Sequence, residues 1–212
     1  MDLEEKIKIS LAYLMQGLII VLIGIAVYNK NYVGIFNGFF VLIIMSLPFF
    51  LRRKWNITLP WSLNFLILFS LLIHTGGIIE NWYRIFHPFY DKFAHLIGSI
   101  TIALLGFASV LIIDRHTKVE LTNKSIIFFV IIFTLAVGAL WEIGEFTLDT
   151  LVGTNAQYDG LEGTMFDLIL DLFGGIIAGG IAYFQLRKGK EKFIDSLLKT
   201  MKLKLKVDSR KS

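Results

Sequence analysis

The sequence predicts an all-α fold, a polytopic membrane bundle of about six transmembrane helices. Three observations carry that prediction. Of the 212 residues, 55% are hydrophobic and the mean hydropathy is +0.67, more than a soluble core of this size needs. Six apolar stretches reach or approach the ~20 residues required to cross the hydrocarbon. The lysines and arginines collect on alternate connections between those stretches, as the positive-inside rule expects.

Ile9 to Asn29, Asn31 to Leu51 and Trp61 to Ile79 carry no Asp, Glu or Arg and no Lys except the Lys30 between the first two. The fourth stretch, Leu96 to Ile113, follows Asp91, Lys92 and His95. The fifth, Ser125 to Trp141, runs into Glu142 and Glu145, and the sixth, Gly163 to Leu186, contains Asp167 and Asp171. The first stretch is too long for a signal-peptide core and lacks a convincing cleavage site, so it reads as a retained anchor. Residues 1–186 are expected to form one transmembrane domain. Residues 187–212 are expected to form a basic cytoplasmic tail. Within it, Phe193, Ile194, Leu197, Leu198 and Met201 recur at helical spacing, which suits an amphipathic helix on anionic lipid or a flexible tail.

Orientation follows from the basic residues. Arg52, Arg53 and Lys54 follow the second span, Arg115, Lys118 and Lys124 follow the fourth, and Lys6 and Lys8 precede the first. With those after the sixth span they make 18 of the 21, leaving only Lys30, Arg84 and Lys92 on the other side. The expected location is the plasma (inner) membrane, with both termini cytoplasmic. Topology accounts for the basic residues, so nucleic-acid binding is not expected. The absence of cysteine excludes disulfides, thiolate metal sites and a cysteine nucleophile.

Nine of the 17 acidic residues fall on the poorly basic side: Glu80, Asp91, Glu142, Glu145, Asp149, Asp159, Glu162, Asp167 and Asp171. His74, His87 and His95 share it. At 1.5 Å per residue, Asp171 and Asp167 lie about 24 and 30 Å from the flank at Arg187. Glu142 and Glu145 lie about 27 and 31 Å from Lys124, and His95 and Asp91 about 28 and 34 Å from Asp114. Three spans therefore bring carboxylates and an imidazole to one depth, just inside the outer boundary. Asp91 and His95, Glu142 and Glu145, and Asp167 and Asp171 each share a helix face by their spacing. Charge at that depth is costly and belongs in the bundle interior or a wet cavity. Converging carboxylates repel, and need a cation or retained protons.

Two chemistries fit. Asp91, His95, Glu142, Glu145, Asp167 and Asp171 are candidate ligands for a hard or borderline divalent metal such as Mg, Mn, Fe or Zn. Glu142, Glu145 and His95 are candidate acid/base groups, and Lys92 is a candidate contact for an anionic head group. The expected partners are membrane lipids and a lipid-linked or small polar substrate. The alternative is a proton- or cation-coupled transporter, for which the same residue types serve as a relay. Gly76-Gly77, Gly174-Gly175 and Gly179-Gly180 would permit close packing or a helix break. A structural or chaperone-like membrane protein is the plainest reading. In it Asp91, Asp149, Asp159 and Glu162 are loop charges, Asp91 and Asp159 cap helices, His74 is a packed histidine, and Trp61, Trp82, Tyr83 and Trp141 are interfacial anchors. The loop from Thr150 to Gly160 reads as a turn-rich connection or a lid.

Asp91-Lys92-x-x-His95, Trp141-Glu142-x-x-Glu145 and Asp167-x-x-x-Asp171-x-x-Gly174-Gly175 together resemble the YjdF-like inner-membrane proteins, and more distantly the VanZ-like family. The likeness covers roughly residues 75 to 185. Glu145 stands where VanZ-like proteins usually have Gln, and Asp171 where they tend to have Asn, so the pattern is closer to the YjdF-like group. The resemblance implies a polytopic membrane protein. The VanZ side of it implies a link to the cell envelope and glycopeptide resistance. Gly163-x-x-x-Asp167-x-x-x-Asp171 is also similar to the closing half of the CDP-alcohol phosphatidyltransferase signature. Its opening half is missing, because Ala156 stands in place of the first aspartate and no arginine follows Asp159-Gly160.

Overall fold

Long apolar runs with few helix breakers satisfy their backbone groups internally, as a membrane requires. The computed structural model describes residues 3–157 and 159–201, and every regular element among them is a helix. The elements are α1 (Leu3–Tyr28), α2 (Tyr32–Trp55), α3 (Trp61–Ile79), α4 (Trp82–Ile85), α5 (Phe89–His116), α6 (Asn123–Val152), α7 (Gly160–Arg187) and α8 (Lys190–Thr200). Six of them, α1, α2, α3, α5, α6 and α7, are long and apolar enough to span a membrane. The expected all-α bundle of six spans is thus what the chain forms.

The helices outrun the apolar stretches that announce them. Hydropathy stops at the first charge, whereas helical hydrogen bonding does not. Asp91, Lys92 and His95 therefore lie inside α5, and Glu142, Glu145 and Asp149 inside α6. Asp91 sits in the first turn of α5. Asp159 occupies the N-cap position of α7, but its side chain does not cap the helix. Part of the tail, beyond Met201, lies outside the described residues.

The chain divides into two units, and the division falls within α5 between Ala94 and His95. In the N-terminal unit α1, α2 and α3 pack around Leu22, Ala26 and Ile79, with Ile25, Ile35 and Leu72 against them. Asn31 caps α2 by accepting from the Gly34 amide at 2.9 Å. Gly34 lets that turn approach closely, since a Cβ there would lie 3.0 Å from Ile79 Cγ1 and 3.1 Å from Ala26 Cβ. Gly76 and Gly77 of α3 serve as seats for the Trp82 and Tyr83 rings. His74 Nδ1 lies 2.9 Å from the Tyr83 hydroxyl, a packed histidine as its isolation in an apolar span suggests.

The C-terminal unit comprises the rest of α5, then α6, α7 and most of α8. Small residues bring its helices together. A Cβ on Gly175 of α7 would lie 3.2 Å from Ile131 Cα and 3.3 Å from Thr134 Cβ on α6. Gly174 lies against Ser99 of α5, and Gly106 of α5 against the Phe133 ring of α6. The interior is filled by Ala103, Phe107, Leu111, Ile126, Val130, Ala178 and Ala182, all buried. Outward-facing Phe128, Leu140, Phe146, Phe166, Phe173 and Phe184 are exposed, as befits surfaces that face lipid rather than water.

The amphipathic face of α8 is turned into this unit. Ile194 and Leu198 are buried, and the Phe193 ring stacks on Phe107 with centroids 5.7 Å apart. Polar contacts hold it there. Lys190 Nζ lies 2.8 Å from Asp114 Oδ2 and donates to the Leu121 carbonyl at 2.6 Å. Asp114 Oδ1 accepts from the Leu121 amide at 2.7 Å. Arg115 pairs with Glu191 at 3.0 Å and Asp195 at 3.2 Å. An apolar face used in this way is not available to lie on lipid.

The Asp114 side chain is only 8% exposed, so removing its cation leaves a buried carboxylate short of its partner. Lys190→Ala is expected to lower stability by about 3 kcal/mol, read from denaturation of the detergent-purified protein. Exposed Lys192→Ala should change it by less than about 0.5 kcal/mol.

Candidate functional site

Three helices of the C-terminal unit contribute to one buried polar layer. Helical spacing puts His95 and Ser99 on one face of α5, Gly138 and Glu142 on one face of α6, and Asp167 and Asp171 on one face of α7. Close α6–α7 packing at Gly175 brings those faces inward. Glu142, Asp167 and Asp171 are each 4% exposed, a burial that carboxylates rarely reach without partners.

His95 is the centre. Its Nε2 lies 3.7 Å from Glu142 Oε1 and its Nδ1 lies 3.6 Å from Asp171 Oδ1. Both distances exceed hydrogen-bond length. His95 and Asp167 offer ligand atoms within 4.8 Å of each other, and Asp91, one turn earlier on α5, offers one within the same distance of His95. Asp171 lies against Gly138 of α6. A Cβ on Gly138 would run into its carboxylate, lying 2.6 Å from its Cγ. Its Oδ2 is buried and receives no hydrogen bond. Such an oxygen carries a desolvation cost of about 1–3 kcal/mol, more when charged.

The remaining sequence-predicted residues divide by environment. Glu145 is half-buried and accepts from Trp141 Nε1 at 2.9 Å, one turn back on α6. Lys92 pairs with Asp91 at 3.1 Å. Asp149 organises the connection to α7: its carboxylate accepts from the Thr154 hydroxyl and from the amides of Ala156 (2.6 Å) and Gln157 (2.9 Å). Gln157 Nε2 then donates to Thr164 Oγ1 at 2.8 Å. The residues from Thr154 to Gln157 are thus an ordered turn built on one aspartate.

Sequence reasoning missed Gly138 and Ser99. Ser99 Oγ donates to the Leu96 carbonyl at 3.0 Å and reaches the Leu170 carbonyl at 3.5 Å, tying α5 to α7 one turn below His95. The available signal was spacing: Ser99 is four residues from His95, and Gly138 four from Glu142. Asp114, taken only as a depth marker, proved to be a buried ion-pair residue.

The family described as "Predicted membrane protein (DUF2238)" matches residues 10–188, most of the chain and all six spans. The chain belongs to this family. The YjdF-like resemblance is consistent with membership in DUF2238. A protein of Thermotoga maritima, described as "Uncharacterized protein", is 28% identical over 138 residues, covering 64% of this chain and 69% of the relative. No solved structure matches.

The Gly138 contact gives a direct check. Gly138→Ala is expected to cost about 1–3 kcal/mol through overpacking against Asp171. Gly144→Ala, on the same helix with open space around it, should be neutral or stabilising by up to about 1 kcal/mol. Thermal denaturation of the two variants in one detergent compares them.

Proposed function

We propose that this membrane protein holds a divalent cation in the layer around His95 and uses it on a lipid or lipid-linked head group reached from one face of the membrane. His95, Glu142, Asp167 and Asp171 form the site, with Glu145 one turn from Glu142 on α6. The observation that carries this reading is His95 itself. Its two ring nitrogens face carboxylates from two other helices at 3.6 and 3.7 Å, and one of those carboxylates has a buried oxygen without a donor. Two donors each about 2.1 Å from a shared tetrahedral ion stand about 3.4 Å apart. The separation of Nε2 from Glu142 therefore suits an ion between them better than a hydrogen bond. The donor set is oxygen with one imidazole, which favours Mg, Mn, Fe or Zn over softer ions. Such an ion can bind a phosphate oxygen or lower the pKa of a bound water.

A second feature favours a one-sided site over a transporter. Between Thr101 and Asp114, α5 buries Ala103, Phe107, Ala108, Val110 and Leu111. At the same levels α6 buries Val130 and Ile126, and α7 buries Ala178 and Ala182. That floor is about 20 Å deep by helical rise. A proton or cation relay needs polar groups or water along its length, and in the floor the buried Thr134 hydroxyl donates to the Val130 carbonyl of its own helix at 2.8 Å, while Ser109 donates to the Leu105 carbonyl on an exposed face.

The site end faces outward in this reading, in the plasma membrane with both termini cytoplasmic. Support comes from the charge asymmetry of the connections. The more distant VanZ-like resemblance would add an envelope role.

Two measurements test these statements. Detergent-purified protein should carry a stoichiometric divalent metal that Asp167→Ala combined with Asp171→Ala removes. Equal, near-zero content in both would end the metal reading, and cation flux in proteoliposomes abolished by Glu142→Gln would favour transport. The absence of cysteine makes single-cysteine labelling clean. Asn155→Cys in intact cells should react with a membrane-impermeant maleimide and Lys118→Cys should not. The reverse pattern would invert the topology.

A further inference from the structure

We infer that the junction of α7 and α8 binds one anionic phospholipid: Lys188 and Lys192 meet its phosphate, and Ile177, Ile181 and Phe184 of α7 line its acyl chain. The site lies at the opposite end of the C-terminal unit from His95 and is independent of the cation reading.

The charge comes from two lysines left over by the packing of α8. Three lysines alternate across the junction, and the middle one turns inward: Lys190 reaches Asp114 Oδ2 at 2.8 Å and the Leu121 carbonyl at 2.6 Å. Its neighbours Lys188 and Lys192 are exposed. The two acids of α8 are already engaged, because Arg115 takes Glu191 and Asp195. Among the described residues neither Lys188 nor Lys192 pairs with an acid. Gly189, at φ 141°, turns the chain between them. Its carbonyl accepts from the Phe193 amide at 3.0 Å, and a Cβ on it would lie 3.9 Å from Lys192 Cβ. The turn thus sets Lys192 beside the residue that follows Lys188. Two unpaired ammonium groups on one short turn suit a phosphate, which each meets as a point charge.

The apolar part selects a lipid over a free anion. Ile177, Ile181 and Phe184 are 43, 45 and 63% exposed. Steps of four and three residues, then four more to Lys188, put all of them on one face of α7. Lys188 keeps helical backbone angles at the C-cap, so the face continues to it. The other side of the helix, with Ala178 and Ala182, is buried. From Ile177 to Lys188 the rise is about 16 Å, close to half of the ~30 Å hydrocarbon, which is one leaflet. A free phosphate uses the lysines and leaves this column idle, whereas a phospholipid occupies both at once. Depth agrees. The candidate spans end at Arg115 and Arg187, and Lys190 ties the start of α8 to Asp114, so the two lysines stand at head-group level.

Native mass spectrometry of the full chain in detergent tests the site, with phosphatidylglycerol and phosphatidylcholine as probes. The tightest phosphatidylglycerol should bind about 10-fold or more tightly than phosphatidylcholine. Lys188→Gln combined with Lys192→Gln should erase that preference; both side chains are exposed, so the fold is kept. Lys118→Gln combined with Lys124→Gln removes the same charge from the connection between α5 and α6, and should leave the preference intact. Glycerol 1-phosphate, a head group without chains, should not displace the lipid. Equal affinity for the two lipids in the wild-type protein overturns the proposal. An equal loss in both double variants reduces the preference to net charge and overturns the site. Displacement by glycerol 1-phosphate leaves an anion site and overturns the role of the α7 column.

Discussion

Glycine-mediated contact between α6 and α7 is the constraint on which the rest of the C-terminal unit depends. Gly175 lets the α7 backbone approach Ile131 and Thr134, and Gly138 leaves room for the Asp171 carboxylate. A larger residue at either place would separate the helices or expel the carboxylate. Close packing of this kind is how membrane helices associate where the solvent offers no hydrophobic drive. It also fixes where the carboxylates must point. Being buried, they face one another and His95.

The two ends of the unit handle buried charge differently. At one end Asp114 is matched by the Lys190 ammonium and the Leu121 amide, so its charge is answered by fixed donors. At the other end Glu142, Asp167 and Asp171 surround one imidazole. The first is an ion pair within the fold. The second gathers three buried carboxylates around one imidazole, and titratable groups gathered in a poorly hydrated place are where binding chemistry is found. Apolar side chains about 20 Å deep along the helices separate the two.

Much of this was legible in the sequence, for physical reasons. A membrane span must be a long apolar helix, so six spans follow from hydropathy. Their depth arithmetic put His95, Glu142 and Asp171 on a common level because helical rise is fixed, and the contacts between α5, α6 and α7 fall at that level. Hydropathy could not read helix ends, since Asp91 and Asp149 continue their helices despite their charge. Nor could it read partners. Glu145 belongs with Trp141, Asp149 with its own loop, and the apolar face of α8 with Phe107 rather than lipid. A one-dimensional pattern gives the face a residue occupies, while its partner depends on which helix lies opposite.

Lys190 reaches back across 75 intervening residues to Asp114. A chain emerging from the ribosome therefore leaves Asp114 without its ammonium partner until two further spans have been made. Until Lys190 arrives, Asp114 has the Leu121 amide but no ammonium, and Phe107 lacks the Phe193 ring that stacks on it.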